Sequence, residues 1–320
     1  MPANSVFTEL VVTTHRTHSK GFKDNLSNSN FLYGRIRKKG NYKKIAGGTS
    51  IVEPLDYAAN QTYQRFSDWD IVDIRASDVL SAAEYQWKQI AMHVVASERE
   101  LLVNSGDAQL EDLVAARMKN AYRTFANNFS SDMYSSGSLS NQIGGLQHLI
   151  ADTPTGTVGG IDANVWSFWQ NTVFDLSDNS VTMSASTIEN SVLLPMWVSV
   201  GRGMNDQPDL LVMSSEWYQL FEASQTSIKR YASAQEASAG FVTLKYKNAD
   251  VIYDTSDSGV PATHIYMINT DYVKLKVHEN ADLEVMDKKE PVNQFGEVVP
   301  FLWMGNMCCS NRKRLAVAKP

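Results

Sequence analysis

Apolar positions change their period along the chain, and each change predicts an element. Between Asp107 and Tyr134, Leu110, Val114, Met118, Ala121, Tyr122, Phe125, Phe129 and Met133 recur at three- or four-residue spacing. Lys119, Arg123, Asn127 and Asn128 fall largely on the opposite side, which is the signature of an amphipathic helix. With Asp107 as its cap and a rise of 1.5 Å per residue, this helix is roughly 40 Å long. Just upstream, "LSAAEYQWKQIAMHVVASERELLVNSG" (Leu80–Gly106) holds Tyr85 and Trp87 in one alternating phase and Ile90, Met92 and Val94 in the other. The phase change predicts one long twisted strand with a bulge near Lys88.

From Tyr42 to Ile74 the pattern is that of two extended runs flanking a turn at Tyr57 to Asn60, with Ile51, Leu55 and Tyr57 on the first run and Tyr63, Arg65 and Trp69 on the second. Pro54 excludes a central strand, and a lone two-stranded ribbon is marginal in water, so this hairpin needs a further surface to lie on. The first forty residues hold no period for long and read as an arm without a core. After a Ser/Gly hinge, "SSGSLSNQIGG", the pattern turns mixed. It predicts a helix from Thr187 to Gly203 kinked at Pro195, a short buried strand "DLLVMS", and a helix opened by Ser214 or Ser215 and running to about Tyr231. Strands follow around "VTLKYKNADVIYD" and "HIYMINTDYVKLKV". The final stretch, "VVPFLWMGNMCCSNRKRLAVA", is extended again and suited to pair with the strand before the long helix. The class is α+β, with a sheet covered by helices in the second half.

Composition leaves that picture standing: 320 residues, 43% hydrophobic and 10% aromatic, supply one large or two modest cores. A net charge of -6 argues against a chain dedicated to sequence-specific nucleic-acid binding. The charge is divided, however. Up to Lys44 there are nine basic residues (Arg16, Lys20, Lys23, Arg35, Arg37, Lys38, Lys39, Lys43, Lys44) against Glu9 and Asp24, a net of about seven positive charges on an otherwise acidic chain. Such a division suits association between copies, and a basic arm equally suits neutralising nucleic acid. The two cysteines, Cys308 and Cys309, are adjacent and ill-placed to bridge, which points to a reducing compartment. "MPANSVFTEL" lacks the charged and apolar regions of a secretion signal, and no run of eighteen apolar residues occurs, so a soluble cytosolic product is expected.

Candidate chemistry is sparse. "GGLQHLIADTPTGTVGGID" (Gly144–Asp162) holds five glycines, but no lysine follows them and Gly160 is followed by Ile161 and Asp162, so these are turn glycines rather than a phosphate cradle. No Gly-x-Ser-x-Gly elbow exists, and Ser214 and Ser215 read as helix caps. His15 and His18 have metal-ligand spacing without a second ligand pair; His93, His148, His264 and His278 are scattered. Cys308 and Cys309 read as small buried side chains, Trp166, Phe168 and Trp169 as core, and "HENADLEVMDKKEP" as a solvated turn region or a charged intersubunit contact. No residue is assigned to catalysis, a cofactor or a metal. A hydrolase built on Ser214 or a histidine, and a nucleic-acid binder using the basic arm, are the rival classes.

Three stretches carry a resemblance to the major capsid proteins of tailed bacteriophages, with the Hong Kong 97-like fold. "KKIAGGTSIVEPLDYAANQTYQ" resembles the family's E-loop, "AAEYQWKQIAMHVVASERELLVNSG" its lead into the peripheral (P) domain, and "GGLQHLIADTPTGTVGGIDANVWSFWQN" its lead into the axial (A) domain. The resemblance implies an N-terminal arm over 1–40, an E-loop over 41–76, a P-domain with a long spine helix over 77–140, an α/β A-domain over 141–275 and returning P-domain strands over 276–320. It implies a structural, non-enzymatic subunit without cofactors, assembling as pentamers and hexamers into an icosahedral virion head around double-stranded DNA. Its implied partners are copies of itself, scaffolding protein, a portal and a decoration protein, with non-specific contact to DNA and none to membrane, and assembly in the host cytoplasm. The alternative within the same fold is an encapsulin-like compartment. Only about forty residues precede the E-loop, so separate scaffolding is expected. Lys43 and Lys44 lie at the E-loop base rather than its tip, so no Lys–Asn cross-link is carried over.

Overall fold

The computed structural model describes residues 30–72, 75–103, 107–203, 205–225, 244–254, 259–287, 289 and 295–320, the side chains of 101–115 excepted. The first 29 residues, with His15, His18 and most of the expected arm, lie outside them.

The first described element corrects the sequence reading. Phe31–Lys38 (α1) is a helix rather than coreless arm: Asn30 caps it by accepting from the Tyr33 amide at 2.8 Å, and Leu32, Tyr33 and Ile36 are buried. Eight residues are too few to display a sustained period, which is why the helix hides among basic neighbours.

Next come Tyr42–Ile45 (β1) and Ile51–Asp56 (β2), then a long connection to Leu80–Tyr85 (β3) and Lys88–Ser97 (β4). β2 pairs antiparallel with β3, from Ile51↔Tyr85 to Asp56↔Leu80. The return strand of the hairpin is therefore Leu80–Tyr85, not the stretch after Asn60, and the expected single strand with a bulge is two strands in different sheets, divided at Gln86 and Trp87. The phase change in the sequence marks that division: Tyr85 faces inward in β3, whereas Ile90, Met92, Val94 and Ala96 form the inner face of β4.

A short helix, Glu98–Val103 (α2), precedes the spine, Asp107–Tyr134 (α3), whose 28 residues match the expected helix. Its Met118, Tyr122, Phe125, Phe129 and Met133 are buried and Lys119, Arg123, Asn127 and Asn128 exposed, as the period requires. They pack on a four-stranded sheet in the order β1, β12, β13, β4, where β12 is Val273–Val285 and β13 is Gly296–Cys309. Tyr122 meets Phe301 edge-on at 6.1 Å and Phe129 meets Trp303 at 5.1 Å. β13 runs antiparallel to β4 over Gly296↔Ser97 to Gly305↔Lys88, the pairing expected for the terminal stretch. β12 extends through "HENADLEV", so that stretch is an irregular strand with Glu279 and Asn280 exposed, not simply a turn region.

The second half begins with a short helix Leu146–Leu149 (α4) and a tight hairpin of Thr157–Val158 (β5) and Ile161–Asp162 (β6). A six-stranded sheet follows, in the order β7, β14, β11, β8, β10, β9. These strands are Thr172–Asp175 (β7), Leu210–Ser214 (β8), Leu244–Tyr246 (β9), Ala249–Asp254 (β10), Ile265–Ile268 (β11) and Leu315–Lys319 (β14). β8 is buried at every position because both faces are covered: Leu210 and Val212 join the core shared with the spine, and Leu211 and Met213 a second core under helices. Those helices are Leu194–Val200 (α5), which continues a π-turn over Ile188–Leu193 at Pro195, and Ser215–Ser224 (α6). The rest of the helix expected to reach Tyr231 lies outside the described residues.

Candidate assembly surfaces

The inner positions of β2 and β3, namely Ile51, Glu53, Leu55, Ala83 and Tyr85, are buried against the chain's own sheet and junction, while their neighbours face outward. The ribbon thus has a seat within its own subunit, a surface the sequence reading sought elsewhere. Its tip does not. Trp69 and Ile71 are each 96% exposed, Tyr63 is 80% exposed, and Phe66 and Leu80 are also open. The loop is shaped by its own polar groups: Asn60 accepts from Thr62 at 2.9 Å and from the Ser77 hydroxyl at 2.9 Å, and Asp70 accepts from the Ser67 amide at 2.8 Å. Large apolar side chains held outward by a polar frame mark an interaction surface.

The ribbon's root leans on the glycine-rich stretch. Gly159 and Gly160, at φ of +59° and +74°, make the two-residue turn between β5 and β6. The Gly159 carbonyl accepts from the Glu84 amide at 2.8 Å, and a Cβ there would press on Ala83 and Tyr85 at 3.0 Å. Tyr57 stacks on Phe168 at 5.3 Å and meets Trp166 edge-on at 6.1 Å. Of the aromatic trio, only Trp169 is fully buried, donating to the Val158 carbonyl at 2.8 Å; Trp166 is half exposed. The stretch is a packing junction, as its glycines implied.

A buried cation completes that junction. Arg312 is inaccessible and donates to the Leu149 carbonyl at 2.8 Å, the Trp169 carbonyl at 3.0 Å and Asn171 Oδ1 at 2.9 Å. Burial lowers its pKa, and the carbonyl fork answers by satisfying the guanidinium without a carboxylate. Sequence reasoning missed this residue, since "NRKR" looks like an exposed turn.

Basic residues near the start of the described chain find acids within the subunit. Arg35 meets Asp250 at 3.0 Å and Asp209 at 3.4 Å; Lys39 meets Asp209 at 3.0 Å and Asp271 at 2.9 Å; Lys44 meets Asp282 at 2.9 Å. For these three residues the contrast in charge between head and body is intramolecular complementarity; Arg16, Lys20 and Lys23 lie outside the described residues.

The residues weighed for catalysis are not brought together. Ser214 precedes α6 with its hydroxyl buried and unbonded. His264 pairs with Asp152 at 3.2 Å; burial opposes its charging, but that carboxylate and the Ala262 carbonyl raise its pKa overall. His148 is lowered, first by burial and then by Arg312. His93 is exposed on β4, and His278 packs edge-on against Trp87 at 5.8 Å. Cys308 and Cys309 are buried free thiols, both pushed up by burial. Among the described residues no group of His, Cys, Asp and Glu is arranged to hold a metal, and no helix is long and apolar enough to cross a membrane.

No protein family and no curated protein matches the sequence. Solved structures do match the fold. The capsid asymmetric unit of cyanophage A-1(L) aligns over 87% of this chain and 90% of its own, with a TM-score of 0.51 at 12% identity. The capsid of an empty GTA particle aligns over 89% and 88%, with 0.54 at 13%. The holo-SrpI encapsulin complex from Synechococcus elongatus PCC 7942 aligns over 87% and 84%, with 0.51 at 10%. At these identities the likeness is one of fold, and the chain has the Hong Kong 97-like fold of phage major capsid proteins.

Proposed function

We propose that this chain is the structural shell subunit of a tailed double-stranded DNA phage, assembling as pentamers and hexamers into the virion head, without enzymatic activity. In this reading the β2–β3 ribbon and its tip are the E-loop, the spine and four-stranded sheet the P-domain, and the six-stranded sheet with its helices the A-domain. The observation that carries it is the tip of the ribbon: Trp69 and Ile71 stand in solvent on a loop whose polar groups hold them outward. A second copy of the chain is the occupant that the fold favours, and obligate contacts of this kind bury about 2,000 Å² or more. Scaffolding, portal and decoration proteins are the further partners of such a shell, and packaged DNA its non-specific contact.

The test exploits the closure of the loop at its root, where the Tyr57 amide bonds the Val79 carbonyl at 3.1 Å. Replacing residues 58–78 by an Asn-Gly turn should leave folded subunits that form no shells under negative-stain microscopy. Shells of normal diameter from that variant overturn the reading. The likeness to an encapsulin supports an alternative, a compartment around a cargo enzyme. Native particles holding genomic DNA decide for the phage head, and particles holding one protein species decide for the compartment.

A further inference from the structure

Among the described residues the ribbon shares no hydrogen-bonded ladder with the spine-bearing sheet: β2 and β3 pair only with each other. At one end the chain crosses Gly47 and Gly48, whose φ values of +142° and +124° few other residues adopt; at the other it crosses Gln86 and Trp87. The ribbon is therefore a separate lever, held down by side chains and, at its edge, by the bond from the Glu84 amide to the Gly159 carbonyl. Most of those contacts are apolar and tolerate sliding. Two are polar: the Tyr85 hydroxyl, which accepts from the Cys309 amide at 3.2 Å and donates to the Cys309 carbonyl at 3.1 Å, and a buried carboxylate on β2. Glu53, the middle of three inward positions on β2, is 2% exposed and bonds the ammonium groups of Lys274 and Lys276, which stand two apart on one face of β12. Lys276 also donates to the Val52 carbonyl at 2.7 Å.

A leucine would suit the Glu53 position between Ile51 and Leu55 better by burial alone. Buried ion pairs are commonly no more stabilising than apolar residues of the same volume, yet breaking one is costly and its geometry is directional. We propose that Glu53, Lys274 and Lys276 form a latch that fixes the ribbon at one seat on the sheet and, when broken, frees it to lift as a unit while the rest of the subunit stays folded.

The adjacent cysteines supply the readout. Cys308 is paired directly across from Lys274 in the β12–β13 ladder, and cross-strand partners share a face, so its thiol lies on the face the ribbon covers. Cys309 is paired with Val273 and lies on the other face. The ribbon's Tyr85 reaches Cys309 only through its backbone, so lifting the ribbon uncovers the thiol of Cys308 and not that of Cys309, whereas global unfolding uncovers both. The experiment is alkylation of the full-length protein by iodoacetamide, in Cys308→Ala and Cys309→Ala backgrounds, with and without Glu53→Gln. The expected result is at least a tenfold faster reaction of Cys308 with Glu53→Gln and an unchanged rate at Cys309. Equal acceleration of both thiols, or of neither, overturns the latch. Should Glu53→Gln fail to fold, Lys274→Gln removes one partly exposed cation and is expected to accelerate Cys308 severalfold, again selectively. Neither readout requires a shell, so the latch stands or falls independently of the assembly reading.

Discussion

Gly145 shows how one position fixes the join between the two halves. It precedes α4 with φ of -78°, a conformation open to any residue, so its need for glycine is purely steric. A Cβ there would overlap the Asp132 and Met133 carbonyls and the Ser135 amide at the end of the spine. Gly145→Ala should therefore destabilise the subunit by about 1–3 kcal/mol, as overpacking against backbone does. Urea denaturation measures it, and Gly160→Ala is the informative contrast: a Cβ there meets nothing within 4 Å, and the cost is that of φ +74° alone. If Gly145→Ala proves neutral, the junction is looser than its contacts imply. The role of this stretch as a set of turn glycines was legible in the sequence. Which glycine is pressed by backbone was not, because the pressing residues come from the spine.

Among elements, those with a strong apolar pattern were readable and those placed by distant partners were not. The spine repeats its apolar face over seven turns and Leu210–Met213 of β8 is an unbroken apolar run, so both follow from pattern alone. The return strand β3 is not: Leu80 to Ala83 offers little alternation, and its partner is chosen 24 or more residues away by the ribbon's seat. The α1 helix had one usable signal, Asn30 followed by apolar residues at 32, 33 and 36. Its place was invisible, since it depends on acids far along the chain: Asp209 accepts from the Thr270 amide and hydroxyl, each at 2.7 Å, and faces Lys39 and Arg35. Burial acts to raise the Asp209 pKa, but these donors outweigh it and hold the carboxyl below its usual range. A depressed carboxyl contributes stability that is present above the unfolded pKa, about 3.9, and is lost as pH falls through the folded value. Urea midpoints taken from pH 7 down to pH 3 should thus fall below about pH 4, and Asp209→Asn should lower the midpoint at pH 7 while flattening that acid limb. Acid limbs that run parallel in the two proteins would remove Asp209 from the account of how α1 is seated.

At the scale of the molecule, inward and outward surfaces separate cleanly. The apolar core of the described residues runs unbroken from α1 through the spine, the ribbon's inner face and one face of the six-stranded sheet, and the loop tip takes no part in it. The tip reverses that logic, with a polar frame inside and aromatic residues outside. Because Trp69 and Ile71 are almost wholly solvent-exposed in the subunit, replacing both by serine removes little from its own stability, within about 0.5 kcal/mol at each site. The same change removes two anchors from any contact between copies, where buried aromatic residues carry much of the binding energy. The Trp69→Ser, Ile71→Ser double variant is therefore expected to melt with the parent subunit in a thermal scan and to fail in assembly followed by light scattering. A lowered melting temperature would show that the tip packs on its own subunit, and unaltered assembly would show that the outward face of the ribbon is not what joins the copies.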